Sequence, residues 1–210
     1  MKRQGRMLLI LLAVSAIGFF PFSQWVSTTK VGTDFFLWFQ ALYGFVLLVS
    51  VLAFPVLIIC AILPRTRHRA LFYLLFTVLF VPCCIAGIRL GHSARMAGMR
   101  AFARRSQPLI SAIQRFEKDQ SAPPTTLEDL VPKYLPAVPT TGMMAYPRFV
   151  YHTGAEARKD YAGNPWALSV FTPSGGFNFD QILYFPRQNY PVHGYGGSLE
   201  RVDDWAYVHE

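Results

Sequence analysis

Three long apolar runs fill most of the first 90 residues, and a polar segment rich in proline and tyrosine follows them. The runs cover about residues 7–24, 35–63 and 70–90. A helix rises about 1.5 Å per residue, so the second and third runs are long enough to cross about 30 Å of hydrocarbon. The pattern predicts an α+β membrane protein, with three transmembrane helices in a membrane domain of residues 1–90 and a soluble domain in residues 91–210.

The first run is short for a span, since Met7–Phe22 covers only roughly 24 Å as a helix. Its basic start and apolar middle also fit a cleaved signal peptide, which is the alternative to an anchor. The segment Phe19–Trp25 offers no small-x-small cleavage site. We therefore expect the first run to remain as a membrane anchor.

Basic residues bear on the orientation of the spans. The link Pro64–Arg69 is too short to cross a membrane, so the second and third spans are predicted to form a hairpin. A cytoplasmic N-terminus places six basic residues inside and six outside, so charge counting alone is indecisive. Because the first span usually dominates, we expect a multi-pass membrane protein with a cytoplasmic N-terminus and a C-terminal domain on the outer side of the membrane.

Helical spacing of apolar residues continues beyond the third run. Met96, Met99, Phe102 and Ile113 recur at this spacing, with basic residues largely between them. This stripe either packs under a sheet or binds anionic lipid or an acidic partner. Pro108 is expected either to kink the helix or to lie in the first turn of a second one, capped by Ser106.

Alternating apolar residues predict strands in the C-terminal segment. The predicted strands are Arg148–Thr153, Trp166–Phe171, Phe177–Phe185 and Trp205–Val208, with a turn at Pro173–Gly176. Thr125 and Glu128 have the spacing of a capping box that opens a short helix. The glycine-rich segment His193–Ser198 is predicted to be a loop.

Residues 108–139 carry a family resemblance. They include Leu109-Ile110-Ser111-Ala112-Ile113-Gln114-Arg115-Phe116, then Thr126-Leu127-Glu128-Asp129-Leu130-Val131-Pro132-Lys133-Tyr134-Leu135-Pro136-Ala137-Val138-Pro139. This sequence resembles the region after the long helix of type II secretion pseudopilins and type IV pilin-like proteins, over about residues 106–140, with a weaker echo at Gly163–Trp166. The resemblance implies a pilin-like domain, in which a long helix packs on a small antiparallel sheet. It also implies a protein of the bacterial inner membrane with this domain in the periplasm.

The chain departs from true pilins in two ways. Pilin-class subunits are cut after a glycine that precedes an apolar segment with glutamate at its fifth position, but the segment after Gly5 has Ile10 there. The matched domain also follows the third apolar run rather than the first. We therefore expect a pilin-like domain fused behind a multi-span membrane region, not a filament subunit.

Charge divides the chain as hydropathy does. Residues 1–106 contain twelve Lys and Arg and one acid, Asp34, whereas residues 107–210 contain eight Lys and Arg and eleven acids. The basic residues of the first part flank apolar runs, where they meet lipid headgroups, so nucleic acid is not an expected partner. No charged residue lies deep in a span, which argues against a transporter or a pump.

Candidate chemistry is sparse, and the sequence predicts no catalytic residue, cofactor or metal site. Cys60, Cys83 and Cys84 are expected to pack within the spans. The densest group of acidic, basic and aromatic residues lies in Asp203–Glu210, which is preceded by tyrosines. The candidate contacts with a ligand or partner are Asp203, Asp204, Trp205, His209, Tyr190 and Tyr195.

Two functional hypotheses follow. The first is a non-enzymatic binding or assembly role in the envelope, with the lipid bilayer as one partner and an envelope protein, anionic lipid or wall polymer as another. It predicts an exposed aromatic patch that includes Tyr184, Tyr190 and Tyr195. The alternative is a membrane-bound hydrolase, or a cation- or sugar-binding module, that uses the Asp203–Glu210 cluster. The hydrolase requires Asp204 and His209 to converge in one pocket.

Overall fold

The computed structural model describes residues 3–175 and 178–210 and divides the chain into two compact units. The first unit contains the residues up to Val26 together with Asp34–Arg95. The second contains Ser27–Thr33 and Met96–Glu210. Helix α1 is Arg3–Ser27, α2 is Phe35–Ile62, and α3 is Arg67–Gln120, which has residues in both units.

The three helices of the first unit are each long and apolar enough to cross a membrane, which confirms that part of the prediction. Helix α2 is the most apolar, and only 6% of its most apolar stretch is buried. Apolar side chains that face outward on all sides are typical of a helix surrounded by lipid. Helices of this composition can be surrounded by lipid, so the first unit does not need a large internal core.

Helices α1 and α3 approach closely where α3 carries two glycines. A Cβ atom at Gly87 would collide with the carbonyl group of Ala16, and one at Gly91 would lie 3.3 Å from the carbonyl oxygen of Phe20. Small residues four apart allow helix backbones to approach in this way. Helix α1 is thus an integral part of the packing of the first unit.

A chain of polar side chains also connects the three helices. Arg95 Nη1 donates to Gln24 Oε1 at 3.0 Å, and Gln24 Nε2 donates to Gln40 Oε1 at 3.4 Å. Gln40 Nε2 in turn donates to Ser23 Oγ at 2.7 Å. These bonds satisfy polar groups that would be costly to leave unpaired in an apolar environment.

In the second unit, α3 packs on one face of an antiparallel sheet. The stripe of Met96, Met99, Phe102 and Ile113 is buried in the core of this unit. Of its two interpretations, packing under its own sheet is therefore the correct one. Burial of each such side chain contributes about 1.5–3 kcal/mol. That gain continues on both sides of Pro108 and exceeds the cost of about 3 kcal/mol for a proline inside a helix. The alternative of a second helix starting near Pro108 is therefore wrong.

The sheet has six strands, and four of them match the predicted segments. β1 is Val150–Thr153, β2 is Trp166–Phe171, β3 is Gln181–Tyr184, β4 is His193–Gly194, β5 is Gly197–Val202 and β6 is Trp205–His209. Their order across the sheet is β1-β2-β3-β6-β5-β4, and every neighbouring pair is antiparallel. The predicted strand start at Phe177, and Gly176 of the predicted turn, lie outside the described residues. A short helix, α4, covers Gly154–Asp160.

The loop predicted at His193–Ser198 is wrong, because this segment is the β4–β5 hairpin. Its two turn residues, Tyr195 and Gly196, have φ of 56° and 93°. Two successive residues in the left-handed region give a tight turn whose twist matches that of the flanking strands. The glycines thus serve a hairpin rather than an irregular loop.

The predicted capping box is displaced by one residue. Residues Leu127–Leu130 form a single 3-10 turn whose N-cap is Thr126 rather than Thr125. The carboxylate of Asp129, not of Glu128, accepts the N–H groups of Thr125 and Thr126, each at 2.9 Å. Hydrogen bonds from the Thr125 hydroxyl and from these amides lower the pKa of Asp129.

Candidate functional site

The predicted cluster Asp203–Glu210 is divided by the geometry of strand β6. Asp203 and Asp204 form the turn between β5 and β6, whereas His209 is the last residue of β6. Five residues of extended chain separate Asp204 from His209 by roughly 17 Å. The strand thus keeps apart the two groups that the hydrolase hypothesis requires in one pocket.

His209 pairs with the neighbouring strand. Its Nε2 atom lies 2.9 Å from Glu200 Oε2 on β5. Glu200 is directly opposite Tyr207 in the sheet, so Glu200, Tyr207 and His209 lie on the same face. The histidine is therefore separate from the acidic turn that precedes β6.

The tyrosines do not form the expected exposed patch. Tyr184 is buried on the α3 side of the sheet, and Tyr190 and Tyr195 are half-buried on the opposite side. The ring of Tyr190 stacks on Phe185 at 4.6 Å between centroids, and burial raises the pKa of its hydroxyl. Tyr190 and Tyr195 cover a small second core around Phe185.

The backbone of the acidic turn is held by its neighbours. The Tyr190 hydroxyl donates to the carbonyl oxygen of Asp204 at 2.8 Å. Arg201 Nη2 donates to the carbonyl oxygen of Asp203 at 3.2 Å, and the Arg201 guanidinium lies over the Tyr190 ring at 4.5 Å. These contacts fix the turn through its main chain, so the side chains of Asp203 and Asp204 are not needed to hold it.

Three of the predicted contact residues lie at a cleft beside α3. Asp203, Asp204 and Trp205 line one side of a cavity of about 270 Å³. The opposite side is formed by Ala103, Arg104 and Gln107 of α3. Arg104 Nε lies 3.9 Å from Asp203 Oδ2, and 77% and 45% of these two side chains are exposed. An ion pair this exposed contributes little to stability and opens readily.

Trp205 lines this cleft and has an unusual environment. It is 1% exposed, yet its indole Nε1 has no hydrogen-bond partner among the described residues. Its ring packs against Phe102 and Tyr184, with centroids 4.9 and 5.3 Å away. A buried donor without a partner costs about 1–3 kcal/mol, so a residue of this kind in the wall of a cleft is a candidate contact for a bound acceptor.

A second cavity extends the cleft along α3. It has a volume of about 410 Å³ and shares Arg104 and Gln107 with the first. We call the two cavities together the α3 groove. It is lined by Ala103, Arg104, Gln107, Pro108, Ser111, Ala112, Arg115, Tyr134, Leu135, Asp203, Asp204 and Trp205.

Tyr134 at the far part of the α3 groove is held in place. Its hydroxyl donates to Asp119 Oδ2 at 2.8 Å, which is the main cause of a lowered pKa for Asp119. Its ring packs against Phe116 with centroids 5.4 Å apart. The groove therefore has an oriented aromatic side chain in one cavity and a buried indole in the other.

Sequence reasoning found the acidic side of the groove and missed the α3 side. Arg104 and Gln107 are three residues apart and so lie on the same face of a helix, which was a visible signal. Which turn of the sheet would face them depends on the pairing of β5 with β6, and β5 was not predicted. The sequence could therefore indicate a polar helix face without indicating its partner.

Comparisons of the chain with protein-family models, with curated proteins and with solved structures gave no match. The resemblance of residues 106–140 to pseudopilins thus stays a prediction from the sequence.

Proposed function

We propose that this chain is a membrane-anchored, non-enzymatic binding protein of the bacterial envelope, and that its pilin-like second unit binds a partner in the α3 groove. The single observation that carries the proposal is the cleft between α3 and the β5–β6 turn, which is lined by Trp205, a residue whose buried indole Nε1 has no hydrogen-bond partner among the described residues. An acceptor from a bound partner would satisfy this buried donor. The readily opened Arg104–Asp203 pair would free a cation and an anion for the same partner.

The dimensions and charges of the groove favour an extended peptide segment of an envelope protein. From Arg104 to Arg115 the groove follows α3 for about 16 Å, the length of about five residues of extended chain. Arg104 and Arg115 offer positive charge, and Asp203 and Asp204 offer negative charge. A peptide supplies main-chain carbonyl acceptors at regular intervals and can carry side chains of both signs.

The resemblance to pseudopilins supports an architectural role for the domain rather than a catalytic one. A single helix, α3, packs on an antiparallel sheet, which is the arrangement that the resemblance implies. Two further spans would retain the domain at the membrane, so it would present its groove there. We place this domain on the periplasmic side, because the first span usually sets the orientation.

Photo-crosslinking in living cells tests the groove directly. Benzoylphenylalanine replaces Gln107 in the groove or, as the control, the exposed Lys159 on α4. We expect one envelope protein to be captured at Gln107 and not at Lys159. Trp205→Phe in the same chain should weaken capture roughly fivefold, because about 1 kcal/mol of hydrogen bonding is lost. Identical adducts at both positions, or capture unaffected by Trp205→Phe, would contradict the proposal.

A further inference from the structure

A pocket separate from the α3 groove lies in the first unit, where α1 and α3 begin. It has a volume of about 220 Å³ and is lined by Arg6 of α1 and by Arg69, Phe72 and Tyr73 of α3. The Arg6 guanidinium lies over the Phe72 ring, 5.4 Å from its centroid. Two arginines and two aromatic residues thus line one small space.

The first unit has no carboxylate that could neutralise these arginines. Its single acid is Asp34, immediately before α2. Arg69 follows the other end of α2, and 28 helical residues separate the two ends by about 42 Å. Two unit charges of the same sign that share a pocket repel each other, so an anion from outside the unit would be stabilised there.

The side chains match one kind of anion. A guanidinium presents its N–H donors as a planar fork that binds two phosphate oxygens at once. Tyrosine at the end of a span lies at the depth of the headgroups, where the phosphates of a bilayer are concentrated. Pockets of basic residues between the ends of spanning helices are suited to acidic lipid headgroups.

We propose that Arg6 and Arg69 form a binding site for the phosphate of an anionic phospholipid, with Phe72 and Tyr73 packing against the glycerol and upper acyl region. This site is independent of the α3 groove and of the partner proposed for it. Free phosphate shares the same headgroup chemistry, but the position of the pocket at the ends of two spans favours the lipid.

Lipid binding to the full chain tests the site. The purified protein is placed in nanodiscs of phosphatidylcholine alone or of an equimolar mixture with phosphatidylglycerol, and its thermal stability and retained lipid are measured. Inorganic phosphate is added to the first preparation as a separate arm. We expect retention of phosphatidylglycerol over phosphatidylcholine by about tenfold and stabilisation by it. No such effect is expected from inorganic phosphate.

Two pairs of substitutions separate a site from general charge attraction. Arg6→Gln with Arg69→Gln should abolish the preference, whereas Arg65→Gln with Arg67→Gln removes the same charge outside the pocket and should preserve it. Arg6→Lys with Arg69→Lys keeps the charge but loses the planar forks, so it should retain only part of the preference and also shows that the pocket tolerates substitution. Equal loss in the Arg65 and Arg67 pair, or equal stabilisation by inorganic phosphate, would overturn the proposal.

Discussion

Trp166 and Trp205 are both fully buried and both pack against Tyr184, but their indole N–H groups differ. Trp166 Nε1 donates to Glu117 Oε2 at 3.0 Å, whereas Trp205 Nε1 has no partner in the described part of the chain. The two tryptophans are therefore a matched pair for comparison. Their rings are buried to a similar extent, but only the indole N–H of Trp166 has a hydrogen-bond acceptor among the described residues.

We expect Trp166→Phe to destabilise the protein by about 2 kcal/mol more than Trp205→Phe. The first substitution removes a charge-assisted hydrogen bond, and the second removes a donor that was already unpaired. Chemical denaturation of the full chain in detergent, followed by near-UV circular dichroism, measures both. Equal losses would show that the Trp205 donor is satisfied in solution.

His152 predicts a pH dependence of stability. Its Nε2 atom lies 3.0 Å from Ser169 Oγ and 2.9 Å from the Tyr161 hydroxyl. Burial lowers the pKa of His152 below its ordinary 6.5, and the exposed carboxylates of Glu156 and Asp160 oppose this shift without reversing it. Near neutral pH, the imidazole ring of His152 is therefore uncharged in the folded state.

Because the unfolded chain binds this proton near pH 6.5 and the folded chain binds it only at lower pH, the free energy of unfolding falls as the pH drops below about 6.5. The loss is complete once the pH is below the folded pKa. His152→Gln cannot titrate, so the change in Tm between about pH 7.5 and about pH 5.5 should be smaller in that variant. An unchanged pH dependence would exclude His152 as a source.

At the scale of elements, the glycines of the first unit can be compared with one another. A Cβ at Gly87 on α3 would collide with Ala16 of α1, whereas a Cβ at Gly44 on α2 would meet no atom within 4 Å. Both glycines lie inside helices, so an alanine has the same intrinsic effect on each.

We expect Gly87→Ala to lower the Tm of the full chain and Gly44→Ala to leave it unchanged or raise it. Tm in detergent measures the difference. The comparison also tests the retention of α1, because a chain that had lost α1 as a signal peptide would tolerate alanine at Gly87.

Elements with a strong period were predictable from the sequence, and those that depend on pairing were not. The apolar runs and the stripe through Phe102 and Ile113 can be recognised from the local sequence alone. The spans and the buried face of α3 could therefore be predicted. Strand β5 has no clear alternation in Gly197–Val202 and lies after a turn rich in glycine, so its place beside β6 was missed. That missing strand is also why the α3 groove could be only half predicted.

At the scale of the whole molecule, the chain combines three helices able to cross a membrane with a second unit that has a groove of mixed charge. We infer that this groove lies on the outer side of the inner membrane and is occupied there. Cysteine labelling can test both the membrane side on which the groove lies and whether the groove is occupied. The labelled variants are made in a background where Cys60, Cys83 and Cys84 are replaced by serine.

The most direct measurement compares Gln107→Cys in the groove, Glu156→Cys on the exposed α4, and Arg67→Cys in the basic link. A membrane-impermeant maleimide is applied to intact cells and then to purified protein. We expect Gln107→Cys and Glu156→Cys to react in intact cells and Arg67→Cys only after lysis. Gln107→Cys should react more slowly than Glu156→Cys in cells, and by a larger factor than in the purified protein. Reaction of Arg67→Cys alone in intact cells, or equal rates for the other two in cells, would contradict the claim.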